Sequence, residues 1–478
     1  VWVDGSKVTV ATGDLLLSDV TKLYEQRLVQ TEYSDGDVDT GYSTEEVQYG
    51  VQYTITLKNF DIDKKQVKVR LPEGSLVDQS GNPNRQTDLL VYNTLRTAQD
   101  SEGNWETAQT SGFLGNATIE RQNIEQIEFV SSLSSAPTID GSICWDVSAQ
   151  RDNSILAWKT QTTAQATKGV YTVYIGSNDP IFGNVDSTAL FSYIGYSTNC
   201  TATETIKSLN LLDTRNVTKM NNMFQFCGYN AMTGLEWGSK FDTSNVTEMN
   251  SMFHSFGYTA MTSLTLPSSF NTKSVTTMSQ MFMNCGYTKM STFDLGDNFN
   301  TSNVTNMYNM FNSCGYKELL AFDLRPSASA TEEQKATKFN TSSVTNMLQM
   351  FAYFGNEKMT TLNIGNNFDT SSVDSMHRMF LGCGSNALQS LDLGDKFDTS
   401  NVTAMGGMFS GIYAINSLDL GDKFDTSKVT TMWQMFYDFG TNNLTYLDLG
   451  DKFYTTSVTN MNQMFKNTGS TAMTVLDL

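Results

Sequence analysis

The sequence predicts an α/β solenoid: about nine strand–helix units of 29 residues behind a mainly β N-terminal domain. Three observations carry this. A motif of the form F-D-T-S-N-V-T-x-M-x-x-M-F ends on Phe224, Phe253, Phe282, Phe311, Phe351, Phe380, Phe409, Phe436 and Phe465, at spacings of 29, 29, 29, 40, 29, 29, 27 and 29. A period of this size marks units that bury their apolar faces only by stacking on one another. Inside the motif, Met, Met and Phe fall at i, i+3 and i+4, as in Met249, Met252 and Phe253, the spacing of one face of a short helix. Between motifs an L-x-L triplet recurs (Leu391 and Leu393, Leu418 and Leu420), the alternation of a short strand with Leu inward.

The elements follow in chain order. Residues 1–113 hold alternating runs at 47–57 and 66–71 separated by turn clusters such as 78–84, the pattern of a β-sandwich spacer domain. A hinge is expected at 110–116, and residues 114–208 form a mixed entry region that caps the array. Residues 209–478 are the solenoid, with one polar insertion near 325–335 expected as an exposed loop. In each unit Asn or Ser stands just before the Val as the expected N-cap (Asn245, Ser274, Asn303), with Lys428 as the exception. A Thr after the Asp, Asn or Tyr of every unit is expected to form a hydroxyl ladder between neighbours. Gly after the helix suits a left-handed C′ residue. The G-D-K turn then follows the strand, and strands ~4.8 Å apart would build a parallel sheet roughly 40 Å long. One strand and one short helix per unit is the leucine-rich-repeat plan.

Composition narrows the function. A formal charge of −19 removes nucleic acid and anionic membrane as partners, since both require a basic footprint. No apolar run approaches the ~18 residues of a membrane span. Four of the six Cys (Cys227, Cys285, Cys314, Cys383) share a repeat position held elsewhere by Phe256, Phe354, Ile412, Phe439 and Thr468, so they read as buried free thiols. Helices ~8–10 Å apart would also keep them beyond the ~7 Å limit for a disulfide. Cys144 and Cys200 lie outside the array and are open to pairing. His254 and His377 occupy different repeat positions, and no nucleophile–His–carboxylate set, metal spacing or phosphate loop can be assembled. No enzyme, cofactor or metal is expected.

One feature exceeds packing. The middle residue of the strand triplet should face solvent, and in seven of ten triplets it is acidic: Glu236, Asp294, Asp323, Asp392, Asp419, Asp448 and Asp477. Like charges ~5 Å apart repel by ~1 kcal/mol even in high dielectric, which makes this ladder a candidate recognition surface unless lysines such as Lys396, Lys423 and Lys452 neutralise it.

The nine-fold motif resembles the BspA-type leucine-rich repeats of bacterial surface proteins, in the form common in Gram-positive and mycoplasma surface proteins. Residues 145–149, 155–158, 171–176 and 189–193 are similar to the segment that precedes such arrays, so the resemblance runs from about residue 116 to the end. The stretch V-K-V-R-L-P-E-G-S-L-V-D-Q-S-G-N resembles bacterial immunoglobulin-like modules. The resemblance implies a cell-surface or secreted adhesion protein with a protein or glycoprotein partner and no catalytic residues to carry over. A structural subunit of a surface layer or filament is the second expectation, and a carbohydrate-binding protein, with Tyr229, Tyr258, Tyr287 and Tyr316 as platforms, the third.

Overall fold

The computed structural model describes residues 93–477 apart from 101 and 102, and before residue 93 the backbone of six strands. The chain divides into two compact units, Val1–Tyr92 and Asn93–Leu478. In the first, β3 (Leu15–Thr31) pairs antiparallel with β4 (Gly41–Leu57). β1 (Trp2–Val3), β2 (Ser6–Lys7), β5 (Val67–Leu71) and β6 (Thr87–Leu90) form a four-stranded antiparallel sheet in the order β2-β1-β5-β6. The runs expected at 47–57 and 66–71 fall in β4 and β5, while the turn cluster at 78–84 lies outside the described residues.

The second unit starts earlier than the sequence suggested. Leu95, Ala98, Phe113 and Leu114 are fully buried in its core, so the stretch grouped with the first domain, and the hinge expected at 110–116, are packed parts of the second. A five-stranded sheet opens it, in the order β12-β7-β10-β9-β8. Its strands are β7 (Ile124–Val130), β8 (Cys144–Asp146), β9 (Leu156–Thr160), β10 (Tyr171–Gly176) and β12 (Ile206–Lys207), with α1 (Thr163–Lys168) between β9 and β10. The buried faces of β7 and β10 meet the array, where Phe129 packs edge-on to Phe191 at 6.1 Å.

The α/β leucine-rich-repeat solenoid is not what the chain builds. Among the described residues the only α-helices are α1 and α2 (Glu332–Thr337), and neither lies in a repeated segment. The Met-x-x-Met-Phe stretch is a chain of tight turns. In all nine units the residue two after the first Met, and the one four beyond that, are left-handed: Ser251 and Ser255, Gln280 and Asn284, and their equivalents, with φ between +53° and +73°. A left-handed residue at every fourth position rules out a helix.

The backbone amides show what replaces it. From 249 to 255, every second N–H donates to the next unit: Met249 to the Thr277 carbonyl, Ser251 to Ser279, Phe253 to Met281 and Ser255 to Met283, at 2.7–3.2 Å. The Asn250 amide donates to Asn221 Oδ1 of the preceding unit, and the next alternate amides close turns three residues back, Met252 to Met249, His254 to Ser251 and Phe256 to Phe253. Gly257, at φ +56°, donates to the Cys227 carbonyl of the preceding unit. A Cβ there would stand 2.6 Å from that of Met261. Four-residue turns and a 3.6-residue helix bury the same positions over two turns, so Met249, Met252, Phe253 and Phe256 are all fully buried as expected, on a different backbone.

Unit spacing makes the same point. The motif Phe rings stack from Phe224 to Phe465 with centroids 5.4–5.8 Å apart and planes within 14° of parallel. Packed helices need ~8–10 Å between axes, so no helix fits on this side. Phe191 extends the stack by one ring at 5.3 Å. With left-handed Ala189, Tyr193 and Gly195 it reveals a degenerate tenth copy inside the entry region.

Strands of the array are short, and just before it β11 (Ile181–Phe182) pairs in parallel with β13 (Leu212–Asp213). β14 (Ser263–Thr265) pairs in parallel with β15 (Thr292–Asp294), β16 (Ala321–Asp323) with β17 (Thr361–Asn363), β18 (Ser390–Asp392) with β19 (Ser417–Asp419), and β20 (Tyr446–Asp448) with β21 (Val475–Asp477). They form separate pairs and not the single long sheet expected. Continuity runs instead through single parallel bridges, Asp186 to Lys219 to Glu248 to Thr277 and onward to Asn460.

The hydroxyl ladder is present. Thr214, Thr243, Thr272, Thr301, Thr341, Thr370, Thr399 and Thr426 are fully buried, and each Oγ1 donates at 2.7–2.8 Å to a carbonyl of the following unit. The expected N-caps have no helix to cap. Asn245, Ser274, Asn303 and Ser343 donate backwards to Arg215, Ser244, Lys273 and Ser302 carbonyls, and Lys428 instead reaches Asn401 Oδ1 at 2.8 Å. The insertion is not a loop but carries α2, whose start is closed by a Thr331–Gln334 capping box; Gln334 also donates to Asn298.

The first copy lacks a preceding unit to supply amides to its carbonyls. Arg121, fully buried, fills this role: Nη1 donates to the carbonyls of Ala189, Leu190 and Ser192, and Nε to Gly112. Its charge is met by Glu106 at 2.6 Å, which also accepts the Leu114 and Gly115 amides. Arg121→Ala would strip the buried Glu106 of its counter-charge and leave the Leu190, Ser192 and Gly112 carbonyls without the donor they have, and should lower unfolding free energy by about 3–5 kcal/mol in urea titration. Gln280→Gly tests the turns. A helix interior would lose ~1 kcal/mol, whereas relief of a left-handed residue should raise stability by up to ~1 kcal/mol.

Candidate recognition surfaces

Two exposed faces carry repeated side chains. On the strand edge, parallel register sets Asp392 directly beside Asp419 and Asp448 beside Asp477, while Asp294 faces Thr265 and Asp323 faces Asn363. All of these Asp are exposed; Glu236 is exposed too but lies outside any strand. Each of Asp294, Asp392, Asp419 and Asp448 accepts the amide of the Gly two residues on, at 2.8–2.9 Å, which stabilises the turn that follows the strand. Asn363 does the same for Gly365 at 3.1 Å, so the turn requires the oxygen and not the charge. Arg325 grips Asp323 through both oxygens and holds its carboxyl below the usual range. Among the described residues, none of Lys396, Lys423 and Lys452 pairs with the ladder; Lys452 donates to the Asp422 carbonyl.

The second face lies beside the turns. Tyr229, Tyr258, Tyr287 and Tyr316 stack at 4.6–4.7 Å with planes within 10°, and Tyr196 joins at 5.0 Å. Partial burial pushes the phenols of the four up. The stack stops at Tyr316 because Asn356 and Ser385 occupy the same place in the next two units. There, a groove of about 380 Å³ opens among Tyr316, Tyr353, Tyr413 and Tyr437, over Gly382 and Gly411.

The repeated part of the chain matches the family model described as "Mycoplasma protein of unknown function, DUF285" three times, over residues 195–319, 320–416 and 352–476. Together the matches cover more than half of the chain. It belongs to the DUF285 family. No match was found among curated proteins, and none among solved structures.

In this DUF285 chain the six Cys are buried and unpaired, Cys144 and Cys200 included. Burial pushes the Cys200 thiol up to about 12 and the Cys227 and Cys383 thiols higher still. The distance argument against a bridge within the array does not survive, since turn-built units sit closer than helices, with motif Phe rings of neighbouring units 5.4–5.8 Å apart. His254, beside Phe226 at 5.1 Å, and His377, beside Trp433 at 5.3 Å, are both held below the usual imidazole range by burial. No three His, Cys, Asp or Glu among the described residues converge as a metal site, and no described helix is long and apolar enough to cross a membrane.

The sequence reading missed the groove. Its signal is the loss of Tyr at 356 and 385 together with Gly at 382 and 411, two side-chain columns emptied in adjacent units. Two outcomes are expected. Replacing Asp392, Asp419 and Asp448 by Asn keeps the turn contacts and removes the repulsion, so the urea midpoint should rise with the slope unchanged. Alkylation of denatured, unreduced protein should add six labels, with none added to the native fold.

Proposed function

We propose that this chain is a non-enzymatic adhesion protein of the BspA type, secreted or held at the cell surface, that recognises a protein or glycoprotein partner through the array. The supporting observation is the acidic strand edge. Asn363 serves the turn as well as Asp does, yet the paired positions keep carboxylates side by side. Charge retained against stability and beyond structural need is what a binding surface for a cationic partner requires. The array suits this work: its amides are spent within and between units, which holds the Asp column in fixed register. Membership of a mycoplasma repeat family agrees with a surface location.

The test is adhesion of beads coated with the full chain to host cells and matrix proteins. Wild type should adhere in a salt-sensitive way, and the triple Asp392, Asp419, Asp448→Asn variant should adhere less. Equal adhesion by the variant would remove the acidic edge from the reading, and no adhesion over an uncoated control would remove the reading itself. Light scattering of the same sample addresses the layer or filament alternative, which a monodisperse monomer excludes.

A further inference from the structure

We propose that the groove between Tyr316 and Tyr437 is a binding site for a neutral pyranose of a glycan, a site distinct from the acidic edge and independent of it. The groove continues the line of the tyrosine stack. Tyr316 is packed on one side by Tyr287 at 4.6 Å, and beyond its other face the column that held Tyr in five units turns to Asn356 and then Ser385. The missing ring leaves a space bounded by aromatic surface on several sides. Tyr353 and Tyr413 stand 40% and 37% exposed at its rim, so both rings are open to a ligand.

The floor is built for the purpose. Asn356 Nδ2 donates to the Gly382 carbonyl at 2.7 Å, and Ser385 Oγ to the Gly411 carbonyl at 2.5 Å, so both short side chains are drawn down onto the backbone. Gly382 has φ +60°, and a Cβ there would come within 2.7 Å of the Tyr353 ring. Tyr353 can lean over this position only because it is Gly.

The lining selects a sugar. Among the described residues, the hydroxyls of Tyr316, Tyr353, Tyr413 and Tyr437 and the exposed amide of Asn386 have no side-chain partner, and Asp438 uses one oxygen on Asn467. A pyranose presents an apolar C–H face that stacks on an aromatic ring, and a rim of hydroxyls that both donate and accept. Phenol, amide and carboxylate supply both functions. The one charged group in the lining is the Asp438 carboxylate, so acidic sugars are disfavoured. At about 380 Å³ the groove falls within the range of small-ligand sites.

The test is isothermal titration of the full chain with glucose, galactose, N-acetylglucosamine and lactose, with sialyllactose as the acidic comparison. At least one neutral sugar should bind, and sialyllactose should bind less well than lactose. Asn356→Tyr restores the residue this column carries in five units, extends the stack and closes the groove; it should fold and lose binding. Tyr353→Ala and Tyr413→Ala remove exposed walls and should each weaken binding by about tenfold, the equivalent of about 1.4 kcal/mol. Tyr446→Ala, on the strand edge, should leave binding unchanged. Absence of binding by every neutral sugar, or undiminished binding by Asn356→Tyr and Tyr413→Ala, overturns the proposal. Bead adhesion is read separately: adhesion of the unaltered chain with no binding of any neutral sugar sinks the groove alone, while sugar binding without adhesion sinks only the adhesion reading.

Discussion

Everything in the array depends on how the backbone amides divide. Within each turn segment one N–H closes a turn and the next reaches the neighbouring unit. That alternation needs a left-handed residue at every fourth position, which costs ~1–2 kcal/mol for each side chain other than Gly. The cost is met collectively. Buried backbone groups left unpaired would be more expensive, and the stacked Phe rings contribute ~0.5–1.5 kcal/mol per pair beyond the burial itself. A unit alone could retain its turns but not the half of its bonds that go to neighbours, so the fold is cooperative along its length.

Such a scheme makes the first unit the exposed point. Its carbonyls face no preceding amides, and Arg121 supplies donors in their place while Glu106 neutralises the guanidinium. Burial pulls Arg121 down in basicity and Glu106 opposes that pull. The pair thus substitutes for a missing unit, and the five-stranded sheet continues the apolar closure behind it. The hydroxyl ladder of buried Thr performs a similar service within the array, since an apolar residue there would leave a carbonyl of the next unit without its donor.

Burial was legible in the sequence and backbone conformation was not. Met249, Met252, Phe253 and Phe256 are core on either reading, because over eight residues a four-residue turn period and a 3.6-residue helix select the same positions. What separates them is the other columns. Gly407, Gly382 and Gly411 occupy places held elsewhere mostly by Asn, Ser, Gln or Asp, with Arg378, Phe226 and Tyr353 as the exceptions, and Gly recurs eight residues after the first Met in eight of nine units. Interchange of Gly with Asn, Ser and Asp points to a left-handed site, but the hydrophobic stripe beside it fits a helix equally well. The strand triplets and the Thr ladder were readable because both depend on local alternation or on one polar atom. Arg121 was not, since its partners lie 68 to 71 residues away.

The closed amide pattern has a consequence for how such a chain can change. Each unit presents the same bonds on its two sides, so a whole copy can be gained or lost without repair elsewhere. The extra segment near 325–335 shows that a guest sequence is accommodated where the chain leaves a strand, with the stack passing from Phe311 to Phe351 at 5.5 Å undisturbed. The outward columns are free of this bookkeeping. A single replacement such as Tyr by Asn at 356 alters relief and not architecture, so the surface can be edited like type set in a fixed frame.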